Sequence, residues 1–265
     1  MAISIFGEWT QGASHNRAGI EWQDHWRKID YVKGVSIISV ADGHGSDKCP
    51  YSAEGARLAT RVFCNLMLEY YNSYDDLSTL ETFLNREGDV RLARTIDLSW
   101  KEEVLSAQER EGRDIGLSER EIYTLYGTTL LGMMITEGFV FSLQIGDGDI
   151  VFADRENTGF LVDADRLLGV ETHSLSSENA WKNAVTAVMN KEPDEGLPYM
   201  YMLSTDGFSN SFANRGAFLA TCREYYEMIG KHGVKTIKEH LKGWLRETSE
   251  LGCGDDITAV FAYVS

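Results

Sequence analysis

Proline is scarce in this chain, three in 265 residues, and no low-complexity tract or internal repeat interrupts it. No stretch marks a domain boundary, so residues 1–265 are expected to form one large domain with a real core. Cysteine is also sparse. Cys49, Cys64, Cys222 and Cys253 show neither CxxC spacing nor a grouping with histidine, which excludes a zinc site of the usual kinds. Basic side chains are in the minority, 25 Lys and Arg against 41 Asp and Glu, for a net charge of −16. Such a balance argues against nonspecific binding to nucleic acid or to anionic membranes. No apolar run is long enough to span a bilayer, and the opening MAISIFGEWT lacks the basic and apolar regions of a signal peptide. The expectation is a cytoplasmic protein with reduced thiols that engages neither nucleic acid nor membrane.

What the chain does have is aspartate at the ends of strand-like segments. Asp24, Ala41-Asp42-Gly43-His44-Gly45, Ser204-Thr205-Asp206-Gly207 and Gly254-Asp255-Asp256 are far apart in sequence, and three of them abut stretches that read as strands. Carboxylates that converge from strand ends form a site for hard divalent cations, with oxygen ligands suited to magnesium or manganese. Each segment alone also reads as a plain turn, and Gly146-Asp147-Gly148 must in addition close a hairpin.

The pattern of the remaining residues gives the setting. Ile3 to Trp9 and His25 to Val32 read as strands, the second followed by a tight turn at Lys33-Gly34. Val35–Ala41 is nearly continuous in apolar or small residues, as for a strand buried on both faces. Leu58, Ala59, Val62, Phe63, Leu66, Met67 and Tyr70 recur with helical period within Ser52 to Tyr71. A second helical region covers Ser78 to Gln108 with a break at Gly88, and Glu111 to Tyr126 reads as a polar surface loop. A meander follows: Thr128–Thr136, Phe139–Ile145 and Ile150–Ala153 joined by two short turns. Tyr199–Ser204 is a strand, Arg215–Ile229 and Val234–Thr248 are helices, and Ile257–Val264 closes the chain as a strand. Hairpins in the middle and strands at both ends exclude a simple alternating βαβ fold and predict a layered α+β domain.

The order of the motifs is informative. They run Gly12-x-Ser14-His15, Gln23-Asp24, strand, Ala41-Asp42-Gly43-His44-Gly45, helix, Gly127-Thr128-Thr129, strand, Ile145-Gly146-Asp147-Gly148-Asp149, strand, Ser204-Thr205-Asp206-Gly207-Phe208, helices, Gly254-Asp255-Asp256, strand. That set resembles the metal-dependent protein phosphatases of the protein phosphatase 2C group, in the bacterial branch with a Gly-x-Ser-His…Gln-Asp first motif. The resemblance extends from Gly12 to Val264. It implies a four-layer αββα sandwich, two central antiparallel sheets flanked by helices, with the metal site at one edge. Asp42 matches the carboxylate bridging two metals and Gly43 the carbonyl ligand beside it. Asp206 and Asp255 match the other carboxylate ligands, Asp256 standing where relatives often carry asparagine. Asp24 matches an acidic residue near the metal-bound waters, and His44 the proposed general acid. Asp147, with Asp206, matches a weaker third cation site. Two departures matter: the phosphate-clamping arginine of many relatives has no counterpart at its spacing, leaving His15 or Arg17 to supply that cation. Gln23 and Asn210 also replace acidic residues.

The chemistry implied is coherent on its own terms. A bridging carboxylate such as Asp42 holds two ions about 3.5–4 Å apart, and water between them loses its proton near neutral pH. Attack on phosphorus is then in line, with His44 protonating the leaving alkoxide. None of the cysteines sits in a phosphate-cradling CxxxxxR loop. The expected activity is a manganese- or magnesium-dependent serine/threonine protein phosphatase acting on phosphoproteins, the targets of a cognate kinase. Substrate choice is expected to lie in Glu111–Tyr126 or Asp163–Ser177. Two other readings stand beside it. Asp147-Gly148-Asp149-Ile150-Val151 fits the DxDx[TV] pattern of aspartyl-nucleophile phosphatases, and the departures at Gln23, Asn210 and the arginine fit a binding module that has lost turnover.

Overall fold

The computed structural model describes residues 2–32, 34–113, 116–162, 173–190 and 197–265. Among these, ten strands form two five-stranded antiparallel sheets. One contains β1 (Ile3–Thr10), β10 (Ile257–Val264), β9 (Tyr199–Ser204), β6 (Asp149–Ala153) and β7 (Thr158–Val162), in that order. The other runs β2 (His25–Val32), β3 (Val35–Ala41), β4 (Leu130–Thr136), β5 (Phe139–Ile145) and β8 (Val185–Asn190).

Every residue of β3, β4 and β5 is buried. The reason is a second layer on each face, which the alternation along the strands makes visible. Ile37, Leu130 and Met134 face an outer cluster with Leu58, Phe63 and Trp100. Their neighbours Ile38, Val40, Leu131 and Met133 instead meet Ile150, Leu203 and Val260 of the opposite sheet. The outer cluster is built by α2 (Ser52–Ser73), α3 (Leu77–Glu87) and α4 (Ala93–Glu111). Behind the first sheet, α7 (Arg215–His232) and α8 (Val234–Leu251) pack Phe218, Tyr225, Ile237 and Leu241 against Phe6, Met202 and Phe261. The architecture is therefore helices, sheet, sheet, helices, the α+β sandwich expected.

The expected break at Gly88 is a five-residue π-helical turn, Gly88–Leu92, joining α3 to α4. The stretch Glu111–Tyr126 is not wholly a loop: Glu111 ends α4, and α5 (Glu119–Leu125) begins at a capping box in which Ser118 and Glu121 exchange hydrogen bonds. A short polar helix with no fully buried residue leaves no apolar stripe to read. Two edge strands, β7 and β8, are unanticipated for the same reason, since most of their residues are only half-buried. Two short helices, α1 (Ala13–Ala18) and α6 (Asp206–Ser209), also escape notice, each under two turns long. Lys33 of the expected turn and residues 163–172 of the expected specificity region lie outside the described residues.

His25, without an evident partner in the sequence, is half-buried with Nδ1 2.8 Å from Thr60 Oγ1. Burial, aided by Arg57 and Arg27, pulls its pKa down to about 4.

A close helix–sheet approach lies at Gly132 in β4, where the Phe63 ring of α2 occupies the space a β-carbon would take. Phe63 is fully buried, so the ring has no free volume to retreat into. Gly132→Ala is expected to destabilise the fold by overpacking, by about 1–3 kcal/mol. Thermal melting checks it; an unchanged melting temperature would mean the helix layer yields at no cost.

Candidate functional site

At the end of β3 the backbone does not stop pairing. Asp42 and His44 continue against Gly127-Thr128-Thr129, with Thr129 N–H donating to the Asp42 carbonyl at 2.9 Å and His44 N–H to the Gly127 carbonyl at 3.1 Å. Two hydroxyls reinforce this. Thr128 Oγ1 donates to the Asp42 carbonyl at 2.8 Å, and Thr129 Oγ1 accepts from Asp42 N–H at 3.0 Å. Gly127 is required by a close approach: a β-carbon there would lie 2.7 Å from His44 Cδ2. The segment carrying Asp42, Gly43 and His44 is thus held against Gly127-Thr128-Thr129 before any ligand arrives.

The other aspartates reach the same end of the sandwich. Asp24 immediately precedes β2, Asp206 opens α6 after β9, and Asp255 lies in the turn entering β10. Asp147 does not close the hairpin expected of Gly146-Asp147-Gly148: β5 and β6 belong to different sheets, and its turn carries the chain from one to the other. Antiparallel pairing puts all of these ends together. Asp42, Asp147, Asp206 and Asp255 line one cavity of about 190 Å³, together with Gly43 and His44. His15 and Gln23 complete its wall, along with Gly45 and Asp256. Arg17 does not line it; that side chain is exposed on α1.

Asp24 lies just beneath the surface, 2% exposed. Its Oδ2 accepts from Thr205 Oγ1 at 2.9 Å, while its Oδ1 is buried with no protein partner. The adjacent pair Asp255 and Asp256 divides sharply. Asp256, 5% exposed, accepts from Gly12 N–H at 2.6 Å and Gln23 N–H at 3.2 Å and lies 3.0 Å from His15 Nδ1. Its carboxylate ties three loops together. Asp255 keeps a half-exposed side chain, 3.4 Å from His15 Nε2. Asn210 donates to Asp206 Oδ2 at 2.9 Å.

Electrostatics shows how closely these groups crowd. Burial, then the charges of Asp24, Asp206, Asp147 and Asp255, hold the Asp42 carboxyl well above the ordinary carboxylate range. Burial and Asp256 do the same to Asp24. Burial lowers the His44 pKa, and the Asp147 carboxylate opposes that shift. The carboxylates share a cavity without closing to a chelate: among the described residues no three His, Cys, Asp or Glu side chains surround a common ion position. In donor chemistry the residues fit hard divalent cations. The cavity offers carboxylate oxygens without thiols, and two buried oxygens beside it, Asp24 Oδ1 and Gln23 Oε1, lack protein partners.

Sequence reading alone did not find the role of the Thr128-Thr129 clamp, the Thr205 bond to Asp24, or the Gln23 side chain as part of the wall. The Gly127-Thr128-Thr129 run was visible as a motif, but a hydroxyl that braces a neighbouring strand has no local pattern.

The raised carboxyl pKa values have a stability consequence with a definite sign. A folded state that retains protons the unfolded chain has released is most stable at low pH and loses stability as pH rises through the raised values. Without divalent cations, Asp42→Asn should therefore melt higher than the parent near pH 7.5, with the difference shrinking toward pH 4.5. Each kcal/mol of relief corresponds to about 2–4 °C in a protein of this size. Melting in EDTA across that range checks it; a variant less stable at pH 7.5 would show that the carboxylates do not repel.

A comparison with protein families matches residues 11–246 to the family described as protein phosphatase 2C. No curated protein matches the sequence significantly. Among solved structures, the S. agalactiae serine/threonine phosphatase is 16% identical, with all of each chain covered and a TM-score of 0.60. The Mycobacterium tuberculosis serine/threonine phosphatase PstP/Ppp is 13% identical, again over all of each chain, with a TM-score of 0.59. The catalytic domain of PstP in complex with 2 manganese ions gives 13% identity, 99% coverage of both chains and a TM-score of 0.58. At these identities the structural likeness concerns the fold.

Proposed function

The chain belongs to the protein phosphatase 2C family and is a phosphoprotein phosphatase; from that premise we propose that it hydrolyses phosphoserine and phosphothreonine with manganese or magnesium as cofactor. The observation that carries this reading is the convergence of Asp42, Asp147, Asp206 and Asp255 on one cavity at the joint end of two sheets. In this reading residues 1–265 act as one catalytic domain in the cytoplasm. The substrate is a phosphoprotein, and a cognate serine/threonine kinase supplies it. Among the described residues no helix is long and apolar enough to cross a membrane.

Asp42, Gly43, Asp206 and Asp255 would hold two cations, with Asp24 orienting their surroundings and Asp147 joining Asp206 at a third, weaker position. When bound, such ions lower the pKa of water and draw charge from the phosphate oxygens. The chain's own residues have the remaining tasks. Asp42 is held at its backbone by Thr128 and Thr129, so its carboxylate keeps its place against the repulsion of its neighbours. His15, anchored by Asp256 at the cavity wall, faces an incoming phosphate where relatives use arginine; Arg17 is directed elsewhere. His44 donates a proton from its ring to the departing serine or threonine oxygen, with the Asp147 charge favouring the imidazolium against the effect of burial.

The aspartyl-nucleophile reading is not favoured. Asp149, which would be its acid or base, is 3% exposed within β6 and does not line the acidic cavity. Asp147 also follows β5, a strand of an antiparallel sheet, whereas that motif follows a strand of a parallel sheet. The noncatalytic reading loses force because each carboxylate the chemistry requires is present in the cavity.

Excess EDTA is expected to abolish hydrolysis of a phosphothreonine peptide, and manganese to restore it; full activity in EDTA would refute metal dependence. Asp42→Asn should abolish metal-stimulated turnover. His44→Ala should reduce kcat on the peptide by about 10²–10⁴-fold. On p-nitrophenyl phosphate the loss should be much smaller, because p-nitrophenolate departs without a proton. Equal losses on both substrates would remove His44 from the acid role, and a beryllofluoride adduct on Asp147 would reinstate the covalent route.

A further inference from the structure

Along α8 the buried residues Ile237, Leu241, Leu245 and Ser249 recur every four positions, on the stripe by which the helix packs inward. A serine therefore stands where the spacing calls for another leucine. It is 1% exposed, so its hydroxyl must find partners inside the protein. A buried helical serine commonly donates to the carbonyl four residues back. Ser249 Oγ instead donates out of the helix, to the Asp255 carbonyl at 2.9 Å, and accepts from Ala13 N–H at 3.1 Å. The chain doubles back to it through Gly252-Cys253-Gly254, where Gly254 takes the left-handed φ of 80°. Beside this bond, Ser14 N–H donates to the Gly254 carbonyl at 2.9 Å. One hydroxyl thus ties the segment carrying His15 to the segment carrying Asp255, although Ala13 lies 236 positions away in the chain.

We propose that Ser249 is a positioning residue for the Asp255 carboxylate, acting through the peptide unit between Asp255 and Asp256; this rests on the metal-dependent reading above. The Asp255 carbonyl and the Asp256 N–H belong to one planar trans unit and point in opposite directions from it. Ser249 holds the carbonyl. The N–H is thereby aimed at Asp255 Oδ1, to which it donates at 2.8 Å. The Asp255 side chain is half-exposed, so packing alone does little to orient it. The held peptide gives Oδ1 a fixed partner and leaves Oδ2 for a cation. Asp256 is anchored separately, its carboxylate accepting from Gly12 and Gln23 N–H. Those bonds fix the residue after the peptide, and Ser249 fixes the carbonyl that begins it. Without the hydroxyl, both the Asp255 carbonyl and the Ala13 N–H lose this partner, and the plane that steers the carboxylate is freed on one side.

The test measures manganese binding directly, by electron paramagnetic resonance of the free ion, with no substrate present. Ser249→Ala should weaken the binding of manganese by about 10–100-fold, the usual cost of losing a group that orients a metal ligand. In an Asp255→Asn background the same substitution should make no further difference, because the carboxylate it positions is already lost. Ser249→Cys keeps the volume while weakening both hydrogen bonds, and takes the place of the alanine variant if that does not fold. Thr136 supplies the control. Its hydroxyl is equally buried, accepting from Phe139 N–H at 2.9 Å and donating to the Phe139 carbonyl at 2.8 Å, at the end of β4 remote from Thr128 and Thr129. Thr136→Val should lower the melting temperature in EDTA yet leave manganese affinity unchanged. Unchanged affinity in Ser249→Ala, or an equal loss in Thr136→Val or in the Asp255→Asn background, overturns the proposal. The parent separates the two failures. If it binds manganese and Ser249→Ala binds as tightly, only this inference falls; if the parent binds none, the metal-dependent reading falls as well.

Discussion

Repulsion among carboxylates is the constraint around which one end of this molecule is organised. Burial, and after it the charges of Asp24, Asp206, Asp147 and Asp255, push the Asp42 carboxyl well above the normal range. In a flexible loop such groups would move apart. Here each is attached to a strand end or helix start within two sheets whose inner faces are fully packed, so separation would require disrupting ladders of backbone hydrogen bonds. A rigid frame lets the chain keep negative charge concentrated in a small volume, and a concentrated negative charge with unpartnered oxygens is what hard cations seek.

The frame has its own local devices, and they divide labour between neighbouring residues of the same type. Of Asp255 and Asp256, the second is consumed by backbone donors at Gly12 and Gln23, while the first keeps its side chain half in solvent. Thr128 and Thr129 both engage Asp42, one through its carbonyl and the other through its amide. Asp24 is held at one oxygen by Thr205, and its other oxygen is left over. In each case one polar group is spent on holding position so that another is left available for chemistry.

How much of this was legible depended on whether a residue's role was local. β3, β4 and β5 could be read because burial on both faces writes a continuous apolar run. β7 and β8, at sheet edges with half-buried residues, write no such run, and α5 is held by a cap and a few partial contacts. The aspartates were legible because strand ends and Asp-Gly turns are local patterns. The choice between His15 and Arg17 was not: the two are separated by only two positions, and α1 turns one into the cavity and the other to solvent. Gln23 was visible as a replacement, but its contact with the cavity depends on Asp256, more than 230 residues away in the chain.

The aromatic cluster behind α6 gives the site a second kind of rigidity. α6 has only four residues, too few to be stable by its own hydrogen bonds. Its position is set by Phe208, fully buried and in contact with Phe212, Phe218 and Tyr225. Asp206 therefore owes its place to hydrophobic packing as much as to polar contacts. Phe212 and Phe218 of the same cluster also line a second cavity beside α6, together with Ser209 and Asn210 at the end of that helix. A close-packed interior passes small displacements directly from one side chain to the next, so a change of volume at Phe208, Phe212 or Phe218 is felt at Asp206 without any conformational switch.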